Sequence, residues 1–181
     1  MSDDAPRGAP PASPAADMAP PVEIRILDPR LHEWGLPRYA SAMAAAIDLH
    51  ACLEAPALVE AGAPPLLIPA GIALHMADPH LAALVLPRSG RGHREGLLMG
   101  NGTGLIDPDY TGPILVSAWN RNPPGSPPIA IAPGERFAQM LFVPVLRPRF
   151  SVVEAFSRPS ARGAGGFGST GTGATTGSEP A

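Results

Sequence analysis

Apolar residues along this chain come in short runs, with Pro or Gly separating one run from the next. Val22-Glu23-Ile24-Arg25-Ile26-Leu27 alternates apolar and polar positions, as a strand with one buried face does. Further runs at 66–68, 81–86, 96–99, 114–119, 129–132 and 137–145 are each too short for a helix and are closed by turn residues. Many short strands at close spacing predict an all-β sandwich or barrel. One stretch does not conform: 41–53 is Ala-rich and scores as helix on propensity, yet it carries no cap and lies between Pro37 and Pro56. The residues alone leave helix and strand open there.

The two ends read differently from the middle. Residues 1–21 contain six Pro and six Ala and keep no apolar period, which predicts a disordered tail with polyproline-II character. Residues 163–181 contain seven Gly, four Thr and two Ser and have almost nothing to bury, so ordering them requires a partner or ligand. One folded domain is therefore expected over 22–157. A C-terminal arm is expected at 158–171 and a flexible tail at 172–181.

Composition narrows the chemistry. Apolar residues are 45% of the 181, enough for a core, and the formal net charge of −3 argues against a nucleic-acid coat. All 13 basic residues are Arg and none is Lys, which excludes a Walker A P-loop and any Schiff-base lysine. Cys52 is the only cysteine, so neither an internal disulfide nor a Cys-rich zinc site is possible. His32, His50, His75, His80 and His93 lack the His-Glu-x-x-His spacing. No apolar run approaches 18 residues, and the acidic start Met-Ser-Asp-Asp is unlike a signal peptide. A cytoplasmic protein without membrane or nucleic-acid partners is the expectation.

Several segments carry groups suited to chemistry, each with a plainer alternative. Asp107 follows two apolar residues and precedes Tyr110, inside a Gly-rich stretch from Asn101 to Gly112. A carboxylate there can act as a general base and the ring can pack on a sugar or base, but on chemistry alone a simple hairpin, which explains the Gly and Pro, is the favoured reading. Arg88-Ser89-Gly90 ends an apolar run with a guanidinium, a hydroxyl and backbone amides, which suit phosphate or simply a strand-to-turn junction. Asp48 is a lone acid in an apolar run. Arg136 and Gln139 open the last run as residues suited to the surface. Arg162 and Phe167 sit within a glycine run that contains Gly-x-Gly-x-x-Gly twice without the strand–helix context that a dinucleotide site needs.

In order and content, Ala46-Ile47-Asp48-Leu49, Pro87-Arg88-Ser89-Gly90, Gly104-Leu105-Ile106-Asp107-Pro108-Asp109-Tyr110-Thr111-Gly112, Pro133-Gly134-Glu135-Arg136-Phe137-Ala138-Gln139-Met140 and Arg162-Gly163-Ala164-Gly165-Gly166-Phe167-Gly168-Ser169-Thr170-Gly171 resemble the five motifs of trimeric dUTP pyrophosphatase (dUTPase). The resemblance spans about 22–171 and is nearest the bacterial branch. It implies a distorted jelly roll of β-clip type and a homotrimer with shared active sites and a swapped C-terminal arm. It also implies hydrolysis of dUTP to dUMP and pyrophosphate with Mg²⁺, which keeps uracil out of DNA and supplies dUMP for thymidylate synthesis.

Residue by residue, the resemblance makes Asp107 the base that deprotonates water and Tyr110 the ring beneath the deoxyribose. The hairpin from Asn101 to Leu115, with Leu105 and Ile106, becomes the uracil pocket. Arg88, Ser89 and Gly90 become phosphate contacts, while Asp48 and Gln139 become substrate-site residues that hold waters near the metal and phosphates, Asp48 as a metal ligand through water. Arg162 becomes the clamp on the γ-phosphate and Phe167 the ring stacked on uracil. Ala46 departs from the pattern, which has Gly there. Two alternatives share the fold: a dCTP deaminase, which needs a glutamate where Asp107 stands, and a non-catalytic nucleotide-binding trimer.

Overall fold

The computed structural model describes residues 19–160 and Gly163. The chain divides into two units, one ending at Arg147 and one starting at Pro148. In the second, residues 148–160 form neither helix nor strand.

Among its described residues the first unit holds ten strands: β1 (Glu23–Ile26), β2 (Ile47–His50), β3 (Ala57–Val59), β4 (Leu66–His75), β5 (Leu81–Pro87), β6 (Leu97–Met99), β7 (Gly104–Ile106), β8 (Pro113–Asn120), β9 (Ile129–Ile131) and β10 (Arg136–Pro144). A single helical turn, α1 (Leu31–Trp34), follows β1, and a π-helical turn (Arg91–Glu95) follows β5. Two four-stranded sheets run in the orders β1-β4-β8-β6 and β2-β10-β5-β7, and β3 pairs with β9. Every strand pairing is antiparallel, and sheet neighbours are far apart in sequence, as in a jelly roll.

Alternation along β8 shows how the sequence builds the core. Ile114, Val116 and Ala118 point inward, while Pro113, Leu115 and Trp119 point out. Inward residues of both four-stranded sheets, including Ile72, Leu97, Phe137 and Met140, form one apolar cluster with Ile131 of β9. The ambiguous 41–53 segment contains strand β2 rather than a helix, because Ile47 to His50 find backbone partners on β10. Ala46 is tolerated: among the described residues only Ala77 is a non-glycine with positive φ, so a methyl at 46 meets no left-handed backbone.

β4 runs further than its apolar run suggests, because it passes a bulge between Pro69 and Ala73. Gly71 sits in that bulge at φ +70°, where an added Cβ would lie 2.4 Å from Cys52 Sγ and 2.9 Å from Asp28 Cβ. Only glycine fits, and its carbonyl accepts the Leu27 and Asp28 amides at 2.8 and 3.1 Å. Asp28 in turn holds Arg30 at 2.6 Å, Arg30 donates to the Leu53 carbonyl at 2.9 Å, and its guanidinium lies 5.0 Å from the Trp34 ring centre. Arg30 holds the Asp28 carboxyl down at about 2, and burial pushes the Cys52 thiol up to about 12. Cys52 is therefore a neutral core thiol.

Candidate active site

Two groups of predicted residues lie at the two ends of β5. At its C-terminal end, register brings three segments together. Asp48 on β2 is the cross-strand partner of Gln139 on β10, and Ala138 pairs with Pro87 at the end of β5. Arg88 Nε contacts Asp48 Oδ1 at 2.9 Å, and Arg136 Nη1 contacts Asp48 Oδ2 at 3.2 Å. Arg88 Nη1 also donates to the Arg136 carbonyl at 3.0 Å, and Gln139 Nε2 donates to the Pro87 carbonyl at 3.0 Å. Two guanidinium groups against one carboxylate leave an unbalanced positive charge at the surface, which favours a polyanion. None of these contacts uses Arg88 Nη2. Ser89 and Gly90 follow at once in the chain. Arg136, which the sequence places simply at the surface, is thus part of the Asp48 clamp.

At the other end of β5, strand β7 pairs Gly104 with Val85 and Ile106 with Ala83. This puts Asp107 level with Ala82. Leu105, Ile106, Asp107, Tyr110, Pro113 and Leu115 line a cavity of about 180 Å³, a size suited to one pyrimidine ring. Asp107 also lines a larger neighbouring cavity of about 450 Å³ with Asp78, Pro79 and Arg147. Asn101 does not line the small cavity; it lies in the turn before β7, where the Gly102 and Thr103 amides bond back to Met99 and Asn101.

Two devices fix the Asp107 turn. The Met76 and Ala77 amides both donate to the Pro108 carbonyl at 3.2 Å, with Ala77 held at φ 54° to do so. Tyr110 donates its hydroxyl to the Pro113 carbonyl at 3.0 Å. The ring then lies so close to Gly112 that an added Cβ would stand 2.6 Å from the Tyr110 oxygen.

Asp107 and Arg88 belong to opposite ends of one strand. Six residues at about 3.3 Å each separate their levels on β5, or about 20 Å. Arg162 and Phe167 lie outside the described residues. Among the described residues no group of three His, Cys, Asp or Glu side chains could hold a metal ion, and no helix is long and apolar enough to cross a membrane.

The dUTPase family model matches residues 32–171. A deoxyuridine 5'-triphosphate nucleotidohydrolase of Xanthomonas euvesicatoria is 52% identical over 158 residues, covering 85% of this chain and 99% of its own. The chain belongs to the dUTPase family. A similarly named protein of Xanthomonas campestris is 51% identical over 155 residues, again covering 85% of this chain and 99% of its own. Among solved structures, the dUTPase of Staphylococcus bacteriophage 80alpha with dUPNHPP superposes with a TM-score of 0.73 at 22% identity, covering 84% of this chain and 99% of that one. That likeness shows that the two chains share the dUTPase fold. The small cavity and the cluster around Asp48 thus sit on a dUTPase framework.

Proposed function

We propose that this chain hydrolyses dUTP to dUMP and pyrophosphate in a site completed by a second copy of itself. One observation supports the shared site above all: in one chain, a pyrimidine-sized cavity with its carboxylate lies about 20 Å along β5 from the cationic cluster, too far for one nucleotide to use both. The outer face of the β1-β4-β8-β6 sheet supports self-association. Leu67, Leu115 and Trp119 are exposed on it, with Leu115 also lining the cavity, whereas a solvated antiparallel face is normally polar. A homotrimer, with the arm of a third chain bringing Arg162 and Phe167, fits the family resemblance.

In the proposed reaction Tyr110 packs under the deoxyribose and the hairpin holds uracil. Asp107 takes a proton from water as its oxygen bonds to the α-phosphorus. The bond from that phosphorus to the bridging oxygen breaks, and pyrophosphate leaves toward Arg88, Arg136 and the 88–90 loop. Positioning and charge neutralisation supply most of the acceleration.

The donor set fits a magnesium ion that arrives on the triphosphate rather than one resident in the protein. Each Asp48 oxygen already contacts an arginine, which leaves lone pairs for a metal-bound water and no open chelate. When bound, such an ion offsets phosphate charge; Asp48 and Gln139 would hold its water shell. A mutant dUTPase from phage phi11 of S. aureus coordinates a structural Mg(II) ion; the magnesium proposed here is instead one carried by the triphosphate. The cytoplasm is the proposed compartment. The deciding assay incubates the purified protein with dUTP, dCTP and dTTP and measures pyrophosphate and ammonia. Pyrophosphate from dUTP alone supports the proposal; ammonia from dCTP supports a deaminase, and no product supports a non-catalytic binder.

A further inference from the structure

Arg91 lies three residues beyond Arg88, at the start of the π-helical turn, and spends its charge inside the protein. Its side chain is 18% exposed. Nη1 meets Glu95 Oε2 at 2.5 Å, and Nη2 donates to the Ala130 carbonyl at 2.8 Å. Nε is 3.2 Å from Glu135 Oε1 but is aimed off it, so this is a charge contact and leaves the buried Nε without a hydrogen-bond partner. The second Glu135 oxygen accepts the Ala132 amide at 3.0 Å. Burying a guanidinium has a desolvation cost, and an imperfect ion pair recovers only part of it. Stability alone is therefore a poor reason for this arrangement.

What the contacts join is more informative. Ala130 and Glu135 lie on either side of the turn from β9 to β10, and Glu135 immediately precedes Arg136. At the other end of the loop, Arg88 Nη1 donates to the Arg136 carbonyl. The segment 88–91 is thus fastened at both ends to neighbouring residues of one turn. Ser89 and Gly90 lie between the fasteners. Arg91 also reaches Asp48 indirectly, through Glu135 and the side chain of the adjacent Arg136, which contacts Asp48 Oδ2.

We propose that Arg91 is a positioning residue for the triphosphate, holding the Arg88–Gly90 loop in its phosphate-binding shape by way of Glu135 and Ala130. The proposal rests on the dUTP reading given above. It concerns phosphate affinity and not the base pocket, because among the described residues the side-chain hydrogen bonds and ion pairs of Arg91 go to Glu95, Ala130 and Glu135 and none goes to the Asp107 hairpin.

The test uses the full-length protein. Affinities of wild type and Arg91→Met are measured for a non-hydrolysable α,β-imido dUTP analogue and for deoxyuridine, which carries no phosphate. Arg91→Met is expected to bind the analogue about tenfold more weakly. Deoxyuridine affinity should change by less than about twofold. Arg91→Lys keeps a charge beside Glu95 and Glu135 and should recover analogue affinity to within about threefold of wild type. A lower melting temperature with an unchanged ratio of the two affinities would make Arg91 a scaffold residue and overturn the proposal, as would equal loss of both ligands. If Arg91→Met does not fold, Glu135→Gln carries the test: it keeps an acceptor for the Ala132 amide, loses the charge, and should shift the same ratio in the same direction by about threefold. An unshifted ratio there also overturns the proposal. Wild-type turnover of dUTP is measured alongside. Its absence would refute the dUTP reading itself, whereas turnover with an unmoved ratio would refute only the role of Arg91.

Discussion

The cluster around Asp48 and the hairpin around Asp107 flank the same strand, β5, and are held in different ways. The cluster is knit by side chains: Asp48, Arg88 and Arg136 contact one another within 3.2 Å, and strand register fixes Asp48 and Arg136 while Arg88 follows the end of β5. The hairpin is held mainly by its backbone, through Pro108 and Pro113 carbonyls, and its side chains Leu105, Tyr110 and Leu115 are 62%, 43% and 47% exposed. One region is charged and already neutralises part of its own field. The other is apolar and open. The first suits a triphosphate and the second a pyrimidine, so the proposed function makes each region half of a site. In the proposed reading, a single chain carries both halves about 20 Å apart along β5, and a second copy brings them to one ligand.

The most damaging single change should be Asp107→Asn. It removes the proposed base and keeps the shape of the turn, so turnover of dUTP should fall by about 10²–10⁴. Affinity for a non-hydrolysable analogue, read by calorimetry, should stay close to wild type. Turnover within threefold of wild type would take the base role from Asp107.

Gly112→Ala should act on the sugar rather than on the chemistry. The new methyl would meet the Tyr110 hydroxyl, so the ring must move and its bond to Pro113 is strained. Overpacking of this kind costs about 1–3 kcal/mol, or roughly 5- to 150-fold. The ratio of kcat/KM for dUTP over UTP should fall in that range, because a displaced ring no longer excludes a 2′-hydroxyl. An unchanged ratio would deny Tyr110 a part in sugar selection.

The smallest effect on turnover should come from Arg30→Gln, which lies in neither half. Turnover at 25 °C should remain within about twofold of wild type. Stability should drop, because Asp28 loses the cation that lowers its pKa. A carboxyl lowered from 3.8 to about 2 contributes stability that is fully present above about pH 4 and is lost as pH falls toward 2. The gap in urea midpoint between wild type and variant should therefore be constant from pH 5 to 7 and close between pH 4 and 2. A gap independent of pH would mean that Asp28 is not the group that feels Arg30.

Much of this is legible in the sequence itself. Strands β1, β5, β6, β8, β9 and β10 coincide with apolar runs, since a strand needs little more than alternation and a terminating turn. The motif residues Asp48, Arg88 and Gln139 were recognisable singly. Their convergence was not, because it depends on the register of β10 against both β2 and β5. Arg136 looked like a surface residue for the same reason. β2 was masked by the alanines before it, whose helix propensity yields to pairing with β10. Helix α1 has four residues, too few for any periodicity, and packing of Arg30 on Trp34 adjoins it. Arg91 and Glu135 are separated by 44 positions and share no motif; only the folded chain brings them together.

Mixing two inactive variants tests the division of labour most directly. Asp107→Asn leaves the Arg88 cluster intact, and Arg88→Ala leaves the hairpin intact. Each protein alone should be nearly inactive. Unfolded together in equal amounts and refolded, they should form mixed assemblies in which some sites take Asp107 from one chain and Arg88 from another. Random assortment predicts recovery of roughly a quarter of wild-type activity for sites built across a rotational interface. Recovery at that level is the result expected here. If the refolded mixture stays as inactive as its parts, while each variant assembles normally, Asp107 and Arg88 must serve the same chain and the shared site is wrong.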